Sequence, residues 1–351
     1  MQIDFQHIEI KSLYPKTDFE GKIIQFLEEW LSNSETVKVQ TSGSTGTPKI
    51  FEIEKEKMLS SAKMTCDFLG LKSGDSALLC LPVEYISGKM MIVRSFERKL
   101  KLRIENPSVK PLENLEEKID FCAMTPLQVE NSLDKIHLIK NLIIGGASVS
   151  ESLKKKIYLH LAPCTLHLAP KIYETYGMSE TLSHIALKEI YPKEDRYFKV
   201  FDGIDISLDE RGCLKINAPK LNSEILQTND LVEIKGKNEF RFLGRIDNVI
   251  NSGGAKIFSE ELEAFVKKHI PNEVVFLGIP DEVLGQKLVL VVETRDTRYE
   301  IQDNFKFQIS NFKFEKSFHR PKDIIFVDEI PRTPNGKVNR LELLKLILED
   351  M

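Results

Sequence analysis

A strand running straight into nine residues of hydroxyls and glycines constrains this chain more than any other feature. Val37-Lys38-Val39-Gln40 alternates apolar and polar side chains, and Thr41-Ser42-Gly43-Ser44-Thr45-Gly46-Thr47-Pro48-Lys49 follows at once. Glycines let backbone N–H groups come close to an anion, the hydroxyls add donors, and Lys49 adds a positive charge. By composition this is a phosphate-gripping loop. A flexible Ser/Gly linker would share that composition, but a strand leads in and Pro48-Lys49-Ile50 resumes order immediately.

The stretches beyond it alternate between two grammars. Ala77–Leu81 is a short apolar run ended by Pro82, Leu100, Leu102 and Ile104 alternate, and so do Ile119, Phe121 and Ala123. Thr125-Pro126 reads as a helix cap followed by proline at the first helical position. Leu142-Ile143-Ile144 is another buried strand, and Ser150 is placed to cap the helix after it. Phe19, Ile23, Phe26, Leu27 and Trp30 mark residues 1–35 as a helical lead-in. This βαβ rhythm predicts a largely parallel sheet flanked by helices, an α/β class. From about residue 196 the pattern becomes β-rich, with hairpins expected over 204–216 and 231–243. A small α+β unit is expected after Gly244, with Ser259 capping its first helix. The predicted division is a large domain over 1–244 and a small one over 245–351.

Composition removes whole classes. With 49 basic and 53 acidic residues the chain has no cationic excess, so nucleic acid is not an expected partner. No apolar run is long enough to span a membrane, and Met1–Phe5 does not begin a secretory signal. The cysteines Cys66, Cys80, Cys122, Cys164 and Cys213 are odd in number, widely spaced and without CxxC, which predicts reduced thiols and a cytoplasmic protein. No two glycines stand two residues apart, so the usual dinucleotide fingerprint is impossible; Walker A, HExxH and GxSxG sequences are absent as well.

Other segments carry chemistry by residue type. Tyr176 offers a flat face for a purine, with Gly177 and Met178 beside it. Glu180 is a hard oxygen donor suited to Mg²⁺ between phosphates. Asp230 can accept ribose hydroxyls, and Arg245 can donate to a ribose or phosphate oxygen. Gly145-Gly146-Ala147 follows a buried strand, where a plain turn and a pocket lining are both open. Lys337, in a Pro/Asn/Gly loop, can bring charge to an oxyanion.

Taken in order, these segments resemble the adenylate-forming superfamily of acyl-CoA synthetases, adenylation domains and luciferases. Thr41–Lys49 resembles its phosphate loop, and Tyr173–Thr181 its adenine and magnesium motif. Thr228-Asn229-Asp230 resembles its ribose motif, Gly244–Asp247 its hinge, and Pro331–Lys337 the loop with its catalytic lysine. The resemblance spans 37–345 and omits most of the usual N-terminal subdomain. It implies a large N-terminal domain, truncated at its start, and a small mobile α+β C-terminal domain. It also implies ATP, Mg²⁺ and coenzyme A as reactants or cofactors, with a small carboxylic acid as substrate. By the same resemblance Lys337, Glu180 and Thr181 carry catalysis, with Glu180 on the metal. Thr41, Ser42, Gly43, Ser44, Thr45, Gly46, Lys49, Gly145, Gly146, Ala147, Tyr176, Gly177, Met178, Asp230 and Arg245 bind the nucleotide. Asp247 is the pivot, and Gly253-Gly254 lines the path of the pantetheine arm.

Within the superfamily, Leu81–Gly88 followed by Arg94-Ser95, Tyr176–His184, and Asn251–Gly254 resemble the o-succinylbenzoate–CoA ligase family of menaquinone synthesis. That implies Tyr85, Ser87 and Arg94 at the acyl site, where a cation suits a substrate carboxylate. Tyr85, Asn229 and Ala255-Lys256 depart from the family's usual residues. Another acyl- or aryl-CoA ligase, a stand-alone domain loading a carrier protein, and an inactive nucleotide-binding regulator stay open. Oligomeric state is not legible.

Overall fold

Two buried faces explain the near-continuous apolar runs. In a computed structural model, which describes residues 1–40, 50–162, 169–270, 272–294, 299–332 and 338–349, Ala77 and Leu79 point into one core and Leu78 and Cys80 into another. Phe121 and Ala123 join the first core, Cys122 and Met124 the second. A parallel sheet covered by helices on both sides needs this arrangement.

Among the described residues the larger sheet has twelve strands. Its parallel half runs Lys101–Ile104, Ser76–Leu79, Ile119–Met124, Ile139–Ile144 and Lys171–Gly177. The antiparallel half continues through His184–Tyr191, Phe198–Val200, Glu239–Arg245, Leu226–Lys235, Cys213–Asn217 and Asp205–Leu208. Both expected hairpins are present. Thr125 and Gln128 form a reciprocal capping box, and Ser150 accepts from the Leu153 N–H at 3.1 Å, as their positions predict.

The lead-in is only partly helical. Gln2–Asp4 adds an antiparallel strand to the sheet edge beside Lys101–Ile104, while Asp18–Leu31 is the helix. Its buried face packs over the helix Ile86–Arg98, with the Trp30 and Phe96 rings 6.0 Å apart.

A second sheet begins at Val249, one 3-10 turn (Ile246–Asn248) after the first sheet ends at Arg245. It joins Ala255–Phe258, Val249–Ser252, Gly285–Glu293 and Val274–Asp281, with Asp323–Val327 parallel to Gly285–Glu293. Helices Ser259–Lys267 and Tyr299–Ser310 cover one face, and Arg340–Glu349 covers the other. Ser259 is not the cap. Phe258 holds that position, and the Ser259 hydroxyl donates to the Asn248 carbonyl instead. Arg241 with Glu261 (3.3 Å) and Lys268 with Glu151 (3.7 Å) join the two units across a polar face. Among the described residues the thiols of Cys66, Cys80, Cys122 and Cys213 are free and buried. Cys164 lies outside them. No helix among the described residues is long and apolar enough to cross a membrane.

Candidate active site

A two-stranded ribbon of its own flanks residues 41–49. Thr36–Gln40 pairs antiparallel with Ile50–Glu54, and the last pair is Gln40 with Ile50. Gln40 also bridges Tyr85. Gln40 and Ile50, which flank 41–49, are therefore paired next to the start of the Ile86–Arg98 helix. Thr41, Ser42, Gly43, Ser44, Thr45, Gly46 and Lys49 themselves lie outside the described residues. Tyr85 stands at that helix's N-cap without capping it through its side chain, and Ser87 is exposed in the first turn.

The next group gathers at the end of the Lys171–Gly177 strand. Tyr176 donates to Asp230 Oδ2 at 2.5 Å, and its ring packs edge-on against Phe240 at 4.8 Å. Burial, reinforced by the Asp230 carboxylate, pushes the Tyr176 phenol far above its usual range, so it remains a donor. Thr228 orients Asp230 by accepting its N–H at 3.0 Å. Arg245 stands 4.0 Å from Asp230 Oδ1 and 3.1 Å from Asp247 Oδ2. The structure thus joins Tyr176, Asp230, Arg245 and Asp247 in one chain of contacts.

The glycines here answer to protein packing. A Cβ on Gly177 would sit 2.4 Å from the Ser183 carbonyl oxygen and the His184 Cα. A Cβ on Gly145 would meet the Thr175 hydroxyl at 2.7 Å. Gly146 and Ala147 are exposed beyond it. The buried Thr181 hydroxyl bonds the backbone of Met178 and Ser183, so it holds the turn carrying Glu180. Glu180 is exposed on that turn, and its carbonyl accepts from Asn222.

Arg94 lies deeper, only 2% exposed. Its Nη2 donates to Ser183 Oγ at 2.8 Å, and its Nε has no partner. No carboxylate pairs with it among the described residues. Burial lowers its pKa to about 10, which still leaves a cation at neutral pH. Ser183 and Thr65 also contact the two ring nitrogens of buried His184, at 3.3 and 3.1 Å. Ser183, His184 and Thr65 are the site residues that sequence reasoning did not single out. Ser183 stands 89 residues from Arg94, and only the motif around it hinted at a role.

Burial, then the nearby Arg94 charge, hold His184 well below its ordinary 6.5 and keep the folded imidazole neutral. Below pH 6.5 the unfolded chain takes up a proton that the folded one refuses, so stability falls as the pH drops. The slope approaches about 1.4 kcal/mol per pH unit. Denaturant midpoints between pH 7 and 5 should fall less in His184→Gln than in the parent.

Farther along the chain, Gly253 and Gly254 form the two-residue turn between Val249–Ser252 and Ala255–Phe258, with φ of +57° and +81°. Both being positive, this turn explains the glycine pair without a ligand. Arg332 bridges Val338, and the Asn339 N–H donates to the Pro331 carbonyl at 2.8 Å. These contacts pair the residues that flank 333–337; Lys337 itself lies outside the described residues. Buried Glu263 anchors the segment by accepting from Arg340 Nη2 at 2.7 and 2.8 Å.

A family model described as AMP-binding enzyme matches residues 26–208, and one described as AMP-binding enzyme C-terminal domain matches 261–337. A 2-succinylbenzoate–CoA ligase of Lactococcus lactis is 24% identical over 91% of this chain and 76% of its own length. One from Listeria monocytogenes serovar 1/2a is 25% identical over 93% and 73%. Among solved structures, an acyl-CoA synthetase (AMP-forming)/AMP-acid ligase II-like protein from Dyadobacter fermentans is 34% identical. It superposes with a TM-score of 0.66 over 99% of each chain. The O-succinylbenzoate coenzyme A synthetase of Bacillus subtilis, solved with ATP and magnesium, shares the fold at 20% identity. Its TM-score is 0.67 over 87% of this chain and 69% of that one.

Proposed function

This chain belongs to the AMP-binding enzyme family, and on that premise we propose that it is an ATP-dependent acid–CoA ligase for an aromatic dicarboxylate of the o-succinylbenzoate type. The observation that carries the substrate class is Arg94, a buried guanidinium with a hydroxyl acceptor, an unpaired Nε and no carboxylate among the described residues. An uncompensated buried cation is costly. A guanidinium also matches a carboxylate in geometry and charge. One substrate carboxylate is activated while the other seats on Arg94. The sequence relatives named 2-succinylbenzoate–CoA ligase support the same reading.

In the first half-reaction a carboxylate oxygen attacks the α-phosphorus of ATP and pyrophosphate leaves. In the second, the coenzyme A thiol attacks the acyl carbon and AMP leaves. The protein's work is placement and charge neutralisation. The 41–49 segment grips the outer phosphates. Tyr176 and Gly145–Ala147 frame the base, while Asp230 and Arg245 take the ribose. Lys337 faces the charge developing at the α-phosphate. Residues 245–351 then turn about Asp247, withdrawing Lys337 and presenting Gly253-Gly254 to the thiol arm.

The residues fit a magnesium ion. Mg²⁺ prefers one or two carboxylates with water and substrate phosphates over a protein cage. Glu180 is a solvent-facing carboxylate, and the described residues offer no denser acidic cluster. Bound there, the ion would neutralise phosphate charge.

The test is AMP and thioester formation with ATP, Mg²⁺ and CoA across o-succinylbenzoate, benzoate, acetate and a medium-chain fatty acid. Preference for the dicarboxylate is expected. Arg94→Ala should raise its KM by about 10- to 100-fold, the worth of a charged hydrogen bond. A monocarboxylate analogue should be turned over equally by both proteins. Turnover of another acid alone would keep the ligase chemistry and discard the substrate class.

A further inference from the structure

The hinge carboxylate is gripped from the larger sheet by a side chain that the ribose motif does not require. Asp247 Oδ2 accepts from Arg245 Nη2 at 3.1 Å and from Asn229 Nδ2 at 3.3 Å. Arg211, on the hairpin turn before Cys213–Asn217, orients that amide by donating from Nη1 to Asn229 Oδ1 at 3.0 Å. An amide whose oxygen faces a guanidinium must turn its NH₂ the other way, toward Asp247. Arg211 is fixed in turn by Asp209 Oδ2 at 2.8 Å and the Thr228 carbonyl at 2.9 Å.

Asn229 belongs to the Leu226–Lys235 strand of the larger sheet, whereas Asp247 sits in the turn that connects the sheets. A rotation about φ at Asp247 swings its carboxylate along with the residues that follow, away from Asn229. The contact is therefore lost in any orientation of the residues beyond Asp247 that is reached through φ. Glycine at 229 would have no side chain to make it. Arg245 adds a link to the nucleotide side, since it lies between Asp230 and Asp247.

We propose that Asn229, held by Arg211, is a positioning residue that latches the hinge and sets the ratio of the two half-reactions. The proposal rests on the ligase reading above. It predicts that Asn229→Gly changes the ratio of adenylate formation to thioester formation from supplied acyl-adenylate by about 3- to 10-fold, the worth of one hydrogen bond. The KM for the acid should stay within error. Arg211→Ala should shift the ratio in the same direction, and the double variant should match Asn229→Gly alone, because both remove one latch.

The experiment measures both half-reactions separately in the full chain and compares small-angle scattering of the nucleotide-free proteins. A shifted ratio with a changed scattering profile is expected. Equal loss of both half-reactions, an unchanged ratio, or additive effects of the two substitutions would overturn the latch. If the parent forms no adenylate from any acid, the ligase reading fails instead. Scattering then decides the latch alone, and identical profiles for parent and Asn229→Gly reject it.

Discussion

Adenylate formation should fall by about 10²- to 10³-fold in Lys337→Ala, while thioester formation from a supplied acyl-adenylate stays near the parent rate. The magnitude is that of removing one preorganised donor from a developing oxyanion. The asymmetry follows from the proposed rotation about Asp247. Arg332 bridges Val338 and Asn339 bonds Pro331, so the residues that flank the Lys337 segment pair with each other on the smaller sheet's side of Ile246–Asn248. On the proposed rotation about Asp247, a lysine on the turning part would serve only the orientation that brings it to the α-phosphate. The two half-reactions are assayed apart, the first by pyrophosphate exchange and the second by CoA thioester. An equal fall in both would assign Lys337 to a step they share, or to stability.

The buried Glu263–Arg340 pair should give the largest effect on stability. Their side chains are 11% and 16% exposed, and Glu263 also accepts the Phe276 N–H at 2.8 Å. Removing one partner leaves a buried charge uncompensated, which costs about 3–5 kcal/mol. Arg340→Leu alone should therefore lower the denaturant midpoint of the C-terminal unit strongly. Combining it with Glu263→Leu should recover only part of that loss, because the unpaired charge is gone but the Phe276 N–H and carbonyl lose their Glu263 and Arg340 partners. Arg340 opens the helix that follows the Lys337 segment, so the single variant should slow adenylation as well. A double variant as unstable as the single would mean that packing, not charge, holds this corner.

The parts of the fold that were legible in the sequence depend on neighbours in the chain. The near-continuous apolar runs at Ala77–Cys80 and Phe121–Met124 betray a sheet buried on both faces, because strand geometry sends successive residues to opposite cores. Thr125 and Ser150 cap helices because their hydroxyls reach N–H groups three residues on. The edge strand Gln2–Asp4 was not legible. Three residues carry too little pattern, and its pairing with residues 101–103 is tertiary. Ser259 misled because a helix-start serine can spend its hydroxyl elsewhere, here on the Asn248 carbonyl. The same limit governs the site. Arg94 stood out through its motif, but its partner Ser183 and the neutral His184 are chosen by the packing of distant segments. Gly177 shows a motif residue whose immediate reason is steric, the backbone of 183–184 lying against it.

The polypeptide passes from one sheet to the other through Ile246–Asn248 alone. A tether this short keeps everything beyond it near the larger sheet at an effective concentration on the order of millimolar. Among the described residues the contacts beyond it include surface ion pairs such as Arg241–Glu261 and Lys268–Glu151, each of which contributes little. A protein severed at that turn would consequently behave as two weakly associating pieces. Adding the second piece at micromolar levels would restore only a small fraction of what three covalent residues provide.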